Sequence, residues 1–137
     1  MKTKYNEAFY QKLGYLFYSV AAADGVIVKE EVEALHQMVI EDWLHLDDSK
    51  DNFGSDQAYQ IEVLFDFLLE KEFPGERAFH VFEHFFKSNL EMFNDDVLER
   101  IYHTSNKIAD SFHSRNKAEL TALTRIHLLL GRERHIL

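Results

Sequence analysis

The chain has 137 residues, 46% of them hydrophobic and 12 of them phenylalanine, so we expect one domain with a substantial core. Its formal net charge of −9 argues against nucleic-acid binding, because no cluster of Lys and Arg interleaved with aromatic residues offsets the repulsion. The absence of cysteine excludes disulfides, thiolate metal sites and cysteine nucleophiles.

The distribution of apolar residues argues against membrane insertion. No apolar stretch approaches the roughly 20 residues that a membrane span needs. Residues 1–7 contain no apolar run after their lysines, so this segment does not look like a signal peptide. We expect a soluble cytoplasmic protein, and its acidic charge favours a cation or a basic protein as the partner.

Apolar residues recur every three or four positions along the chain, with only one proline and five glycines to interrupt them. No window alternates with a period of two for long enough to predict a strand. The sequence therefore predicts a single all-α domain over 1–137, a bundle of about six or seven helices. The first two helices are expected over 5–23 and 29–45. The third begins at a cap at Ser55, and the fourth runs from Pro74 through Phe93. The fifth begins at a cap at Asn94, and the sixth follows residues 114–116.

Phenylalanines are concentrated in the middle of the chain, between residues 65 and 93. Most of them are expected in the core, because each ring can bury a large apolar area. On the fourth helix, Phe82, Phe85 and Phe86 form a wide apolar arc. Either that helix is central in the bundle or part of it meets a partner.

The junction between the first two helices carries several carboxylates. Asp24 and Gly25 predict a tight turn, and Glu30 and Glu31 fall in the first turn of the next helix, where the helix dipole favours negative charge. Asp24 and Glu31 could therefore converge across the turn. Hard cations such as Ca²⁺ and Mg²⁺ prefer such oxygen ligands, although the pattern is not that of an EF-hand loop.

A weak internal duplication adds further carboxylates to this corner. Residues 105–111 are similar to residues 19–25, so that Asp110 corresponds to Asp24, and Glu119 corresponds to Glu31 if the second loop is slightly longer. The candidate ligands for a divalent cation are Asp24, Glu30, Glu31, Asp110 and Glu119. The alternative interpretation is that these carboxylates only serve the helix ends.

Residues 17–27, followed by Glu30, Glu31 and Leu35, resemble the TerB domain of tellurite-resistance proteins, a family related to the N-terminal module of a membrane-anchored J-domain co-chaperone. The resemblance implies an all-α bundle with an acidic, metal-binding surface and a role in stress-response complexes near the membrane, with peripheral association. Three residues depart from the pattern. Val28 replaces a Ser or Thr cap, Ser111 replaces the second glycine, and Lys117 supplies no acidic partner.

A second candidate site lies on the fourth helix. His80, Glu83 and His84 have the H-x-x-E-H spacing of inverted zinc peptidases, in which the two histidines bind Zn²⁺ and the glutamate acts as general base. An amphipathic helix in a chain with eight histidines also produces this pattern by chance.

These observations favour a non-enzymatic TerB-like interaction module that binds a divalent cation or a basic protein partner through the acidic corner. Two alternatives stay open. One is a metal-dependent hydrolase centred on His80, Glu83 and His84, and the other is a helical scaffold that forms a homodimer without a bound ion.

Overall fold

The computed structural model describes residues 5–23, 27–44, 46, 57–111 and 117–134, and within the last range the side chains of 120–131. Over these ranges the chain forms α-helices and no strand, which confirms the predicted all-α class. No described helix is long and apolar enough to cross a bilayer. The α-helices are α1 (Glu7–Ala21), α2 (Lys29–Met38), α3 (Gln60–Glu70), α4 (Gly75–Ser88), α5 (Asp95–Ala109) and α6 (Lys117–Arg134).

Two asparagines start helices by the same local mechanism. Asn6 precedes α1 and its Oδ1 accepts the Phe9 N–H at 2.9 Å. Asn94 precedes α5 and its Oδ1 accepts the Val97 N–H at 2.9 Å, which confirms the predicted cap. Each side chain satisfies a backbone donor that has no partner inside its helix.

The second helix is shorter than predicted. α2 ends at Met38, and residues Val39–Trp43 form one π-helical turn instead of continuing the α-helix to residue 45. The Leu44 N–H donates to the Val39 carbonyl at 2.9 Å. This wider turn accompanies the burial of Trp43, whose Nε1 donates to the Thr104 hydroxyl of α5 at 2.9 Å. Tertiary packing of one indole ring thus overrides the α-helical period.

The prediction of one helix from Pro74 through Phe93 is wrong at its C-terminal end. Pro74 is the N-cap of α4 as expected, but α4 ends at Ser88 and Leu90–Met92 form a separate 3-10 turn. The Asn89 side chain donates to the Phe85 carbonyl at 2.9 Å. An asparagine side chain that bonds the preceding turn competes with helix continuation, so the chain changes direction here.

Helix α1 is the central element of the bundle. It packs most extensively against α3 and α4, and it also contacts α5 and α6. The close approach to α3 depends on Gly14, because a Cβ atom at this position would lie 2.8 Å from both the Ile61 carbonyl oxygen and the Leu64 Cβ. No larger residue fits this crossing without moving α3.

The predicted phenylalanine core is confirmed in most of its members. Phe93 forms its centre, with ring centroids 4.9 Å from Phe86, 5.6 Å from Phe9 and 5.8 Å from Phe82. Phe65 and Phe79 are also buried. Phe67 is the clear exception, since its side chain points away from the core and is 51% exposed.

Candidate functional site

The acidic corner at the start of α2 is built around one buried carboxylate. Glu31 is 3% exposed, and its Oε1 accepts the Val28 N–H at 3.1 Å. This is the glutamate half of a capping box, because Val28 has no hydroxyl to return the bond. Glu30 is exposed one residue earlier, and Asp24 lies outside the described residues. Glu31 therefore has a structural role at this helix end.

The second corner, which the sequence analysis matched to the first, has a different local structure. Asp110 is the exposed C-cap of α5, and its N–H donates to the Asn106 carbonyl at 2.9 Å. The Ser111 hydroxyl donates to the Ile108 carbonyl at 2.7 Å, so serine closes the helix where the family pattern has glycine. Glu119 belongs to α6, and its side chain is not among those described.

The described residues do not assemble the predicted cation site. Within this part of the chain, no group of three or more His, Asp or Glu side chains is placed so that it could hold a metal ion. Of the predicted ligands, Glu30, Glu31 and Asp110 can be located, whereas Asp24 and the Glu119 side chain cannot. The five-carboxylate site stays a prediction.

His80 and Glu83 of the H-x-x-E-H motif belong to a ladder of polar contacts along α4. His80 Nδ1 lies 3.0 Å from Glu83 Oε1, and His80 Nε2 lies 3.4 Å from Glu76 Oε1. Lys87 Nζ lies 3.5 Å from Glu83 Oε2. The hydrogen bond from His80, reinforced by Lys87, lowers the pKa of Glu83 below its ordinary value. A general base working at neutral pH needs the opposite shift, and a zinc ligand needs a free imidazole nitrogen.

A cavity of about 300 Å³ lies where the end of α1 meets the start of α4 and the middle of α6. Its charged lining residues, Glu76 and Arg125, are 2.6 Å apart and neutralise each other. The Arg125 guanidinium also covers the Phe79 ring at 4.1 Å from the centroid. This pairing lowers the pKa of Glu76, with His80 as a further contributor. The cavity offers no unpaired charge among the residues that line it.

The outer face of α3 carries a surface that the sequence analysis did not identify. Tyr59, Val63 and Phe67 follow one another at intervals of four residues and are 41%, 53% and 51% exposed. We call these three residues the α3 stripe. Asp66 and Glu70 are exposed beside it. The signal was present in the sequence, because Ile61, Phe65 and Leu68 already fill the buried face of α3 and leave these large apolar residues on the other side.

A second surface lies between α1 and α4. A shallow groove of about 410 Å³, which we call the basic groove, is lined by Lys12, Phe73, Arg77, His80, Val81 and His84. The sequence pattern did not indicate it, since the lining residues come from two helices and the segment that connects α3 to α4.

Comparison of the chain with known protein families, with curated proteins and with solved structures finds no match. The similarity to the TerB domain therefore stays an expectation from the sequence.

Proposed function

We propose that this protein is a non-enzymatic, TerB-like interaction module that binds a basic amphipathic segment of a protein partner. The observation that carries the proposal is the α3 stripe, a row of large apolar side chains left exposed on a helix whose other face is buried. Contiguous apolar surface of this kind is typical of interaction sites. A partner helix with apolar residues at matching intervals would cover it.

Two exposed carboxylates lie beside the stripe, and the Lys71 ammonium lies 5.8 Å from the Phe67 ring centroid. Asp66 and Glu70 are one helical turn apart on the exposed side of α3. Glu62 pairs with His36 and so connects α3 to α2. The π-helical turn after α2 packs against the 3-10 turn Gln57–Tyr59, and its Ile40 is exposed. Carboxylates around an apolar strip favour a partner that combines Lys or Arg with Leu-type residues.

Fluorescence anisotropy with a labelled amphipathic peptide of Leu and Lys tests this proposal. We expect saturable binding that Phe67→Ser together with Val63→Ser weakens at least about tenfold, because the apolar anchors of the contact are lost. Leu128→Ser is the matched control, since Leu128 is 55% exposed on α6, away from the stripe. Equal losses in the stripe variant and in the control would overturn the proposal.

The acidic residues require a separate measurement. Asp66→Asn with Glu70→Gln should weaken peptide binding and reduce its dependence on salt, while Glu99→Gln on α5 should leave both unchanged. Sedimentation of the free protein adds a further criterion. A concentration-dependent dimer that Phe67→Ser abolishes would show that the stripe is covered by a second copy, and the proposed basic partner would be wrong.

Divalent-cation binding at the acidic corner is the second part of the sequence prediction, and titration calorimetry with Ca²⁺ and Mg²⁺ tests it. Glu30→Gln is the informative variant, because Glu30 is exposed and its replacement leaves the Glu31 cap intact. Heat of binding that is lost in Glu30→Gln and Asp24→Asn would support a cation site. Cation binding that is unchanged in both variants would exclude the acidic corner as the cation site.

A further inference from the structure

We propose that the basic groove is a second docking site, which takes an acidic peptide with one apolar anchor residue. It differs from the α3 stripe in location and in the charge of its ligand, so the proposal does not depend on the function proposed above. The groove is formed by α1 and α4, and Phe73 of the connecting segment also lines it.

The side chains that line the groove are either apolar or basic. Phe73 and Val81 supply apolar surface, and the remaining lining side chains are two cations and two imidazoles, with no carboxylate among them. This composition is unusual in a chain whose net charge is −9. It favours a ligand that is negatively charged and that also buries an apolar side chain.

The two cations are held in place by aromatic rings. Lys12 Nζ lies 5.6 Å from the Tyr15 ring centroid and 5.8 Å from that of Phe85. The Arg77 guanidinium carbon lies 5.2 Å from the Phe73 centroid. Cations at such distances are attracted to the ring faces, which reduces the side-chain entropy that a ligand must remove.

The charges of these cations are not neutralised locally. Among the described residues, no carboxylate lies within 4.0 Å of the Lys12 ammonium or the Arg77 guanidinium. Two acidic residues of α4 have other partners, since Glu76 pairs with Arg125 and Glu83 pairs with His80 and Lys87. The carboxylates of α4 are thus compensated, whereas Lys12 and Arg77 remain available to an anionic ligand.

A peptide fits these features better than a nucleic acid does. The groove offers two cations, Lys12 and Arg77, whereas a polyanionic backbone needs many phosphate contacts to overcome a net charge of −9. A segment with Asp and Glu on both sides of a single Phe places its ring against Phe73 and Val81 and its carboxylates near Lys12 and Arg77.

Fluorescence anisotropy with a labelled Asp-Glu-Asp-Phe-Glu-Glu-Asp peptide tests the proposal on the full chain. We expect binding that weakens at least about tenfold in Lys12→Ala with Arg77→Ala and that falls with added salt. The same peptide with Ser in place of Phe should bind at least about threefold more weakly, because the anchor is lost. Lys107→Ala, an exposed lysine of α5, is the matched control and should bind like the parent protein.

Several outcomes would overturn this proposal. These are no binding at millimolar peptide, equal losses in the Lys107→Ala control, and self-association that depends on Arg77, which would identify a second copy as the occupant. Thermal melts of all variants establish that each one is folded. Phe67→Ser with Val63→Ser should leave the acidic peptide's affinity unchanged, so the two docking sites can fail independently of each other.

Discussion

The α3 stripe lies on α3 and the basic groove lies between α1 and α4, and the two surfaces present opposite charges. On α3, Asp66 and Glu70 are four residues apart and repel each other. On α4, Glu76, His80, Glu83 and Lys87 follow one another at intervals of three or four, so that each carboxylate contacts the His80 imidazole and Glu83 also contacts Lys87. The pairing along α4 is decided by spacing within that helix, whereas the basic groove owes its charge to Lys12 of α1 and Arg77 of α4, and the net charge of −9 describes neither surface.

The largest expected effect is on the stability of the bundle that carries both surfaces. Gly14→Ala should destabilise the protein by about 1–3 kcal/mol, because the added methyl group collides with the Ile61 carbonyl and the Leu64 Cβ where α1 crosses α3. Chemical denaturation measures the change. Gly131→Ala is the matched control, since a Cβ there meets nothing within 4 Å and should be neutral or stabilising. If Gly14→Ala is as stable as the parent protein, then α1 and α3 do not approach each other at Gly14 as closely as described.

A smaller effect is expected where the segment between α3 and α4 is anchored to α1. The Tyr18 hydroxyl donates to the Phe73 carbonyl at 2.7 Å, and Phe73 lines the basic groove. Tyr18→Phe should cost about 1 kcal/mol at neutral pH, because this hydrogen bond is lost. We expect the acidic peptide to bind more weakly as well, with no change in binding of the basic peptide.

The same variant has a predictable pH dependence. Burial, assisted by Glu72, raises the pKa of Tyr18, so the folded state holds the phenolic proton more tightly than the unfolded state does. This contribution to stability is complete below the unfolded tyrosine pKa of about 10 and is lost as the pH rises above it. The stability difference between the parent and Tyr18→Phe should therefore shrink in alkaline solution. A constant difference up to pH ~11 would contradict this account.

The smallest effects test the charge comparison directly. Glu76→Gln should destabilise by a few tenths of a kcal/mol at pH 7, a low value because the carboxylate is mostly exposed, while Glu70→Gln should be neutral or slightly stabilising. The pKa of Glu76 is lowered, so its contribution is present above the unfolded pKa of about 4.3 and disappears as the pH falls through the folded value. In melting curves at neutral pH, Glu76→Gln should lower the melting temperature, while Glu70→Gln should leave it unchanged or raise it slightly. At acidic pH this difference between the two variants should disappear.

The parts of the fold that could be predicted from sequence depend on local signals. The Asn94 cap and the buried face of α3 are determined by residues within one or two turns, and both are confirmed. The end of α4 could not be predicted, because it depends on the Asn89 side chain bonding the Phe85 carbonyl where the apolar spacing continues unbroken. The π-helical turn requires Thr104 of α5 to be in place.

The candidate sites likewise combine features that local sequence predicts with features that depend on the packing of the helices. The carboxylates around Glu31 were expected from the sequence, but the pattern could not distinguish a ligand from a buried cap, because both need an acidic residue in the first helical turn. The basic groove combines Lys12 of α1 with Arg77 of α4, a pairing that only the packing of the bundle produces.

The central position of α1 has a consequence for folding. The ribosome synthesises this helix before α3, α4, α5 and α6, which together bury Phe9, Leu13 and Phe17. Its first contacts are also among the most distant in sequence, since Asn94 at the start of α5 donates to the Tyr5 hydroxyl across 89 residues. A nascent chain therefore carries α1 without its packing partners until most of the domain has emerged, and the exposed apolar face of this helix is prone to aggregation during that interval.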